Sequence, residues 1–594
     1  MAFGRITFGL CQLLRLDITR YDIAMKSEKL ASKKTAKPKQ RKYIFVIGGV
    51  MSGVGKGIAT SSIGLILKSK GYKVTLVKAD PYLNVDAGTM NPTEHGEVFV
   101  MENGLETDQD MGNYERFLNQ NISQSNYMTS GMVYKAVIDR ERALGYGGKC
   151  VEAIPHVRDE IVDRFEKAAI ENDSDITLVE IGGTIGDYQN VMFMEAARNM
   201  KIEHPKDVIV IVVSYVPIPS TIGEMKSKPT QNAIRQLNGY GLHADFVIAR
   251  SEVPLDDKRK EKIAISCSVP KQNVISAPDI KSVYDAPLNF EKDKIGEAIL
   301  ESLHMDVKKV SPAQKSLGAS EWKQWTSFVK KVHVEKTQTI SIAMIGKYFD
   351  SGDFTLSDSY LSVIEALKTA GTHAGVKVAI EWIDSKQIEK GIVKLSEVFA
   401  RCGGLIVPGG FGTTGVDGIL QAIQYAREHK VPYLGICYGM QLAVIEYART
   451  VAGLVGAHTT EIDKKAKHKI VDIMESQKQN LVTFAMGGSM RLGSYTCKLA
   501  KGSVCSKLYG GATEVVERHR HRYEVNNVYV PELEKAGLVF SGTSPDGQLM
   551  EMIELPTSVH PYFVATQAHP EFFSRPVHSH PLFDGLVKAV ISKK

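Results

Sequence analysis

At 594 residues, 43% of them hydrophobic and 24% charged, the chain is long enough for two or more domains of ordinary composition. Its longest apolar run, Val208 to Val213 with its flanks, is too short to span a membrane. The net charge of +6 lies in the wrong place for a nucleic-acid-binding body: residues 1–42 carry eleven Lys/Arg against three Asp/Glu, a balance of +8 that leaves −2 for the remainder.

Residues 1–42 read as an extension whose second half, Lys26 to Lys42, is too polar to order itself. Its first part could form an amphipathic presequence; Asp17 and Asp22 count against one, and Met25 is an alternative start. Seven cysteines (11, 150, 267, 402, 437, 497 and 505) without a C-x-x-C pair point to a reducing, cytoplasmic setting, with neither a zinc site nor a disulfide framework.

From Tyr43 the pattern alternates strand and helix, predicting an α/β fold with a P-loop-like parallel sheet. Tyr43 to Ile47 predicts a buried strand. Gly48-Gly49-Val50-Met51-Ser52-Gly53-Val54-Gly55-Lys56-Gly57 and a helix from Ile58 to Lys70 follow it. Strand, glycine loop and helix with a lysine make a phosphate cradle. The loop is no strict Walker A: Val50 replaces the first glycine, and Gly57 replaces the hydroxyl residue that touches Mg²⁺. A glycine-rich turn without ligand is the plain alternative. If phosphate binds, magnesium ligands must come from elsewhere.

Lys73 to Lys78 predicts the next strand, leading into Asp80, and Glu106 to Gly112 carries Asp108 and Asp110. Ile176 to Val179 predicts another strand, with Glu180 at its end and Gly182-Gly183-Thr184-Ile185-Gly186-Asp187 beyond. An acidic residue at a parallel strand's carboxyl end beside a phosphate loop suits magnesium. Val208 to Val213 and Phe246 to Ala249 predict core strands. Between them Lys226-Ser227-Lys228-Pro229-Thr230-Gln231 opens a helix that suits a triphosphate, or merely holds solvated lysines. Residues 305–336 read as a linker with its own helix, Ser320 to Val334.

A second α/β domain is predicted from 337 to the end, with strands Ile340 to Ile345, Gly404 to Val407, Tyr433 to Ile436 and Tyr562 to Ala565. Gly435-Ile436-Cys437-Tyr438-Gly439 between a strand and a helix-like run is a G-x-C-x-G nucleophile elbow. Taken alone, Cys437 is equally a small buried hydrophobe. Two distant segments favour the nucleophile. Gln567-Ala568-His569-Pro570-Glu571 supplies a base and its orienting acid, and Val407-Pro408-Gly409-Gly410-Phe411-Gly412 can turn bare N–H groups toward an oxyanion.

These three segments resemble the class I (triad) glutamine amidotransferases, which release ammonia from glutamine. Together with Gly-Lys-Gly-Ile (55–58), Glu-Ile-Gly-Gly-Thr (180–184) and Glu-Arg-His-Arg-His-Arg-Tyr-Glu-Val-Asn (517–526), they make the chain from Tyr43 to about Val587 resemble the CTP synthases. The His-Arg-His-Arg-Tyr and Lys-Pro-Thr-Gln runs argue against a cobyrinate-type amidoligase, and the presence of Lys56 and Cys437 argues against a purely scaffolding or filament-forming role.

The resemblance implies a dethiobiotin-synthetase-like synthase domain over 43–304 and an amidotransferase domain over 337–594. It implies catalysis by Cys437, His569 and Glu571. ATP would lie on Gly53, Val54, Gly55, Lys56, Gly57 and Ile58, with Lys78, Asp110 and Asp279, and Mg²⁺ on Asp110 and Glu180. UTP would meet Ser52, Lys226, Ser227, Lys228, Pro229, Thr230, Gln231 and Lys262. The feedback inhibitor CTP would share its triphosphate part and reach Asp187, Tyr188, Gln189 and Glu195. Glutamine would be held by Gly410, Tyr438, Gly439, Met440, Gln441, Glu461 and Arg520. GTP would activate through Phe411 and Gly487 to Gly493. A homotetramer, with filaments possible and no nucleic-acid or membrane partner, is the implied assembly. Where family members often carry Leu after the nucleophile, this chain has Tyr438, whose side chain is expected to face the glutamine pocket.

Overall fold

The computed structural model describes residues 39–221, 223–347, 357–474, 477 and 488–593. Most of the predicted extension, Met25 and Gly487 therefore lie outside the described residues.

The synthase half is built on a seven-stranded sheet. Its strands are β1 (Lys42–Gly49), β2 (Val74–Asp80), β3 (Tyr127–Thr129), β4 (Ile176–Ile181), β5 (Val208–Tyr215), β6 (Phe246–Ser251) and β7 (Val274–Pro278). They run in the order β3-β2-β4-β1-β5-β6-β7, with every pairing parallel. Continuous apolar runs such as Val208 to Val213 are buried throughout because helices cover both faces. β1 starts one residue before the predicted boundary. Its helices include α1 (Lys56–Ser69), α2 (Asp110–Leu118), α3 (Val191–Glu203), α4 (Lys228–Gly239), α5 (Asp257–Cys267) and α6 (Pro312–His333).

The predicted linker helix is longer than its apolar periodicity suggested. It begins at Pro312, eight residues before the expected Ser320, because Ser311 and Gln314 cap it reciprocally and proline takes the first turn. Nor is it free: Trp325 Nε1 donates to Tyr284 O at 3.1 Å, Lys68 of α1 pairs with Glu321 at 2.9 Å, and both Trp325 and Phe328 are buried.

The second half carries a nine-stranded sheet. Its strands are β8 (Thr339–Gly346), β9 (Lys377–Asp384), β10 (Gly404–Val407), β11 (Tyr433–Ile436), β12 (Arg491–Leu499), β13 (Glu514–His521), β14 (Val539–Thr543), β15 (Met550–Glu554) and β16 (Phe563–Thr566). The order is β9-β8-β10-β11-β16-β15-β14-β12-β13, parallel from β9 to β16 and antiparallel beyond. Helices α7 (Leu361–Ala374), α8 (Val416–Glu428), α9 (Tyr438–Thr450) and α10 (Pro581–Lys593) flank it. Among the described residues no helix is long and apolar enough to cross a membrane.

The two halves share a polar seam. Glu115 of α2 is fully buried and accepts from Arg518 Nη2 at 3.1 Å and from Arg575 Nη2 at 2.5 Å. Arg518, itself 0% exposed, also donates to Val100 O, and Arg520 Nε donates to Glu106 Oε1 at 2.8 Å. Glu97 accepts from the Ser362 N–H and hydroxyl, while Phe99 meets Phe572 edge-on at 4.9 Å.

Candidate active site

At the carboxyl edge of the first sheet, the loop after β1 passes through left-handed backbone at Val50 (φ 80°), Gly53 and Gly55. Val50 occupies the Walker A glycine position and adopts the conformation glycine takes easily, which is strained for a β-branched residue. Lys56, at the start of α1, donates to Gly183 O at 2.7 Å; burial lowers its pKa, with Lys78 adding to the effect. Gly57 packs against Asp110: a Cβ there would lie 2.1 Å from Asp110 Oδ1. Glycine thus replaces the usual hydroxyl because a carboxylate occupies its space.

Register sets Lys78 beside Glu180 on adjacent strands. The Lys78 ammonium bridges Glu180 Oε1 (2.9 Å) and Asp110 Oδ2, with Asp80 at 3.7 Å. Burial would lower its pKa, but Asp110, Glu180 and Asp80 raise it well above the ordinary value. Burial pushes Asp80 up to about 7 and Asp110 to about 6, against the pull of Lys78 and with their acidic neighbours adding to the rise. Burial acts upward on Asp108 too, yet Lys78 and a hydrogen bond from His95 bring it down to about 2. Asp80, Asp110 and Glu180 all crowd the one Lys78 ammonium, so the donor set fits a further cation. Among the described residues no three His, Cys, Asp or Glu side chains form a metal set by themselves. A magnesium ion would therefore take Asp110 and Glu180 and fill its shell from phosphate and water.

The other expected nucleotide contacts come from the segments that follow β1, β4, β5, β6 and β7. Arg250, at the end of β6, donates to Asp279 Oδ1 at 3.0 Å, and its Nε is 3.8 Å from where a Gly55 Cβ would be. Ser52 is exposed on the loop. In the segment opening α4, Lys226 pairs with Glu224 at 2.6 Å, Ser227 accepts from Gln231 at 3.1 Å, Pro229 takes the first turn, and Thr230 is buried against Ser214. Lys228 is exposed. Lys262, on the outer face of α5, joins Lys226 in lowering the Glu224 pKa. Asp187 accepts from Thr184 N at 2.6 Å, Tyr188 is 96% exposed, Gln189 is exposed, and Glu195 pairs with Arg198 on α3.

In the second half, three neighbouring parallel strands deliver three functional loops to one edge: β10 the Gly409–Gly412 loop, β11 Cys437, and β16 the His569 segment. Cys437 has φ 50° and ψ −98°, and its N–H donates to Thr566 O at 2.7 Å. The turn closes because Gly439 lets its backbone approach Val407, whose oxygen would be 2.4 Å from a Cβ. His569 Nδ1 and Glu571 Oε1 are 2.7 Å apart. Burial would lower the His569 pKa, but Glu571 and Cys437 outweigh it and raise it to about 10. His569 Nε2 is buried and makes no hydrogen bond of its own, which leaves it open to a reacting group in the cavity. Gln567 Nε2 reaches Sγ at 3.5 Å.

A cavity of about 70 Å³ opens on Cys437, His569 and Glu571, walled by Gly409, Gly410 and Phe411. Its far wall is Glu97 and Val98 of the synthase half. Glu97 is 7% exposed, and burial pushes its carboxyl up to about 7 against the pull of Ser362 and Arg116.

The family description "CTP synthase N-terminus" matches residues 42–305, and "Glutamine amidotransferase class-I" matches 355–589. The chain is 45% identical over 554 residues to the CTP synthase of Caldanaerobacter subterraneus, covering 93% of this chain and 99% of that protein. It is 46% identical over 560 residues to that of Methanocaldococcus jannaschii, again covering 93% and 99%. Among solved structures, the Trypanosoma brucei CTPS glutaminase domain with bound acivicin is 35% identical, covers 43% of this chain and 95% of its own, and superposes with a TM-score of 0.39. The chain belongs to the CTP synthase family.

It is thus a carbon–nitrogen ligase of the glutamine-hydrolysing type. Gly410 and Arg520 line the cavity, but the Arg520 guanidinium is held by Glu106. Gly439, Met440 and Gln441 are buried in the first turn of α9, and Gln441 Nε2 donates to Tyr523 O and Gln567 Oε1. Glu461 accepts from Gly412 N at 2.7 Å. The Tyr438 hydroxyl donates to Gly412 O and accepts from Lys347 Nζ.

Sequence reasoning missed Tyr114, whose hydroxyl donates to Glu180 Oε2, together with Arg250, Gln567, Glu97 and Lys347. Gln567 opens the segment that carries His569 and Glu571, without a role of its own being read there; the other four are single polar residues outside any motif.

Proposed function

We propose that this chain converts UTP to CTP with ATP and glutamine in three linked steps. The observation that carries this reading is the pairing of two chemistries: Lys56, Lys78, Asp110 and Glu180 at the first sheet's edge, and Cys437, His569 and Glu571 behind a cavity both halves wall.

In the glutaminase half, the Cys437 sulfur attacks the glutamine side-chain carbonyl, and N–H groups near Gly410 hold the oxyanion. The His569 imidazolium gives its proton to the departing nitrogen, so ammonia leaves and a thioester remains. His569 then takes a proton from water, which cleaves the thioester to glutamate. Glu571 keeps the ring oriented.

In the synthase half, the Gly53–Ile58 loop holds the ATP phosphates while Lys56 and Lys78 face the charge that spreads over the transferred phosphoryl group. A magnesium ion on Asp110 and Glu180 would neutralise the phosphate oxygens. Uracil O4 takes the γ-phosphoryl group, releasing ADP and turning a poor leaving group into a good one. Ammonia then adds at C4, and phosphate leaves with the C4–O bond. Asp279 serves the adenine, and Ser52, Lys226 to Gln231 and Lys262 serve UTP. CTP would inhibit from the Asp187 to Gln189 and Glu195 side, and GTP would activate through Phe411 and Gly488 to Gly493. The domains run 43–304 and 337–594 with 305–336 between them, in a cytoplasmic homotetramer.

The test is a continuous absorbance assay of CTP formation from UTP, ATP and glutamine with magnesium, with and without GTP. Glutamine-dependent CTP that rises with GTP is expected. Glutamine hydrolysis with no amination of UTP would overturn the reading.

A further inference from the structure

Lys347, the first residue past β8, and Tyr438, the first residue of α9, converge on the Gly412 carbonyl at the end of the Gly409–Gly412 loop. The Tyr438 hydroxyl donates to Gly412 O at 2.9 Å, and Tyr438 is only 2% exposed. Lys347 Nζ donates to the same carbonyl, to Tyr438 Oη at 2.9 Å and to Phe411 O at 3.4 Å, while lying 4.3 Å from the Tyr438 ring centroid. From the other side, Glu461 accepts the Gly412 N–H. Three separate elements thus grip the end of a loop whose middle walls the cavity at Cys437.

We propose that Lys347 and the Tyr438 side chain form a clamp that positions the Gly409–Gly412 loop against the nucleophile elbow, setting the rate of glutamine cleavage rather than glutamine affinity. The proposal rests on Cys437 being the nucleophile.

The physical need for a clamp is plain from composition. Three of the loop's four residues are glycine, and such a segment loses more conformational entropy on ordering than any other. Ordering costs on the order of 1–2 kcal/mol per residue, and more for glycine. An oxyanion donor acts only when it already points where charge develops, and losing one costs roughly a hundred- to a thousandfold in turnover. The Gly412 carbonyl held from one side and its N–H held from the other fix the two peptide planes that meet at the Gly412 Cα, and with them the direction from which the chain re-enters the cavity wall. Because Tyr438 directly follows Cys437, the loop is referenced to the nucleophile itself. A leucine at 438 would fill similar space but could not hold the carbonyl. The charge environment is consistent: burial lowers the Lys347 pKa to about 8, and the carboxylates facing it, Glu461 and Glu389, support its charged form.

The experiment measures glutamine-driven CTP formation by full-length Tyr438→Phe, Lys347→Met and the double variant, with Cys437→Ala alongside. Both single variants should lose on the order of ten- to a hundredfold in kcat, with KM for glutamine within about twofold of wild type. The double variant should be no worse than the poorer single, since both act on one peptide. Lys347→Arg, which keeps the charge and donors, should recover part of the loss. Labelling of Cys437 by a diazoketone analogue of glutamine should slow in parallel. A raised KM with unchanged kcat would make Tyr438 a glutamine contact and overturn the clamp; so would wild-type kcat in either variant, or losses that multiply in the double. Glutamine-driven activity in Cys437→Ala would instead sink the nucleophile assignment beneath it. Ammonia-driven synthesis monitors folding, and if Tyr438→Phe fails there, the half-buried Lys347→Met decides alone.

Discussion

At the scale of single residues, Gly57 carries the most definite constraint. Its missing side chain is where Asp110 sits, so restoring the Walker hydroxyl should harm the site: Gly57→Ser and Gly57→Ala should both drive Asp110 from Lys78. ATP-dependent CTP formation should fall at least tenfold in both, with glutamine or with ammonia, as measured by initial rates. Cys437→Ala should separate the two sources of nitrogen. Glutamine-driven synthesis should fall on the order of a thousandfold or more, as in other nucleophile deletions, while free ammonia at alkaline pH still supports CTP formation. Cys437 and Lys56 were legible because each follows an apolar strand at a glycine-marked turn, and His569 and Glu571 because a His-Pro-Glu run follows an apolar strand. Lys347 and Tyr114 were not: one polar residue in ordinary surroundings has no local pattern, and its partner lies far along the chain.

At the scale of elements, strands and their order came through well, since parallel strands covered on both faces read as apolar runs. Helix ends were less legible. The early start of α6 was written in Ser311-Pro312-Ala313-Gln314, a capping signature outweighed by the later apolar spacing. The packing of α6 on α1 had no signature except Gly318. A Cβ there would lie 2.5 Å from Ser69 O, backbone that cannot give way cheaply. Gly318→Val should lift α6 from α1 and cost roughly 1–3 kcal/mol, as overpacking does. Thermal unfolding should show the lower midpoint.

At the scale of the whole molecule, the seam between halves was invisible in the sequence. Glu115 and Arg518 are 403 positions apart, and neither lies in an apolar face that would announce burial. The seam places Asp110 and Glu115 on one helix, so the element presenting a carboxylate to Lys78 is also pinned to Arg518 and Arg575 around the His569 segment. It also carries a titration. Glu97 holds its proton to about pH 7 in the folded protein, whereas the unfolded chain releases it near 4.5. Between those values the folded state binds the extra proton, so stability falls as pH rises through the window. The cost is absent below it and complete above it, on the order of 3 kcal/mol. Glu97→Gln removes this proton, so its melting temperature should decline less than that of wild type between pH 5 and pH 8 in calorimetric scans.

The cavity wall contributed by Glu97 and Val98 has a consequence for bookkeeping of atoms. That wall sets the glutaminase cavity directly against the ligase half, so nitrogen cut from glutamine is expected to pass to the ligase without mixing with bulk ammonia. Two isotopic pools should then stay apart. When unlabelled glutamine and ¹⁵N-ammonium are supplied together near neutral pH, the exocyclic nitrogen of new CTP should be almost wholly unlabelled by mass spectrometry. Opening the wall with Val98→Ala should let the pools mix, raising the labelled fraction and leaving more glutamate formed than CTP. Equal labelling in the intact enzyme would mean that the wall encloses glutamine cleavage without containing its product.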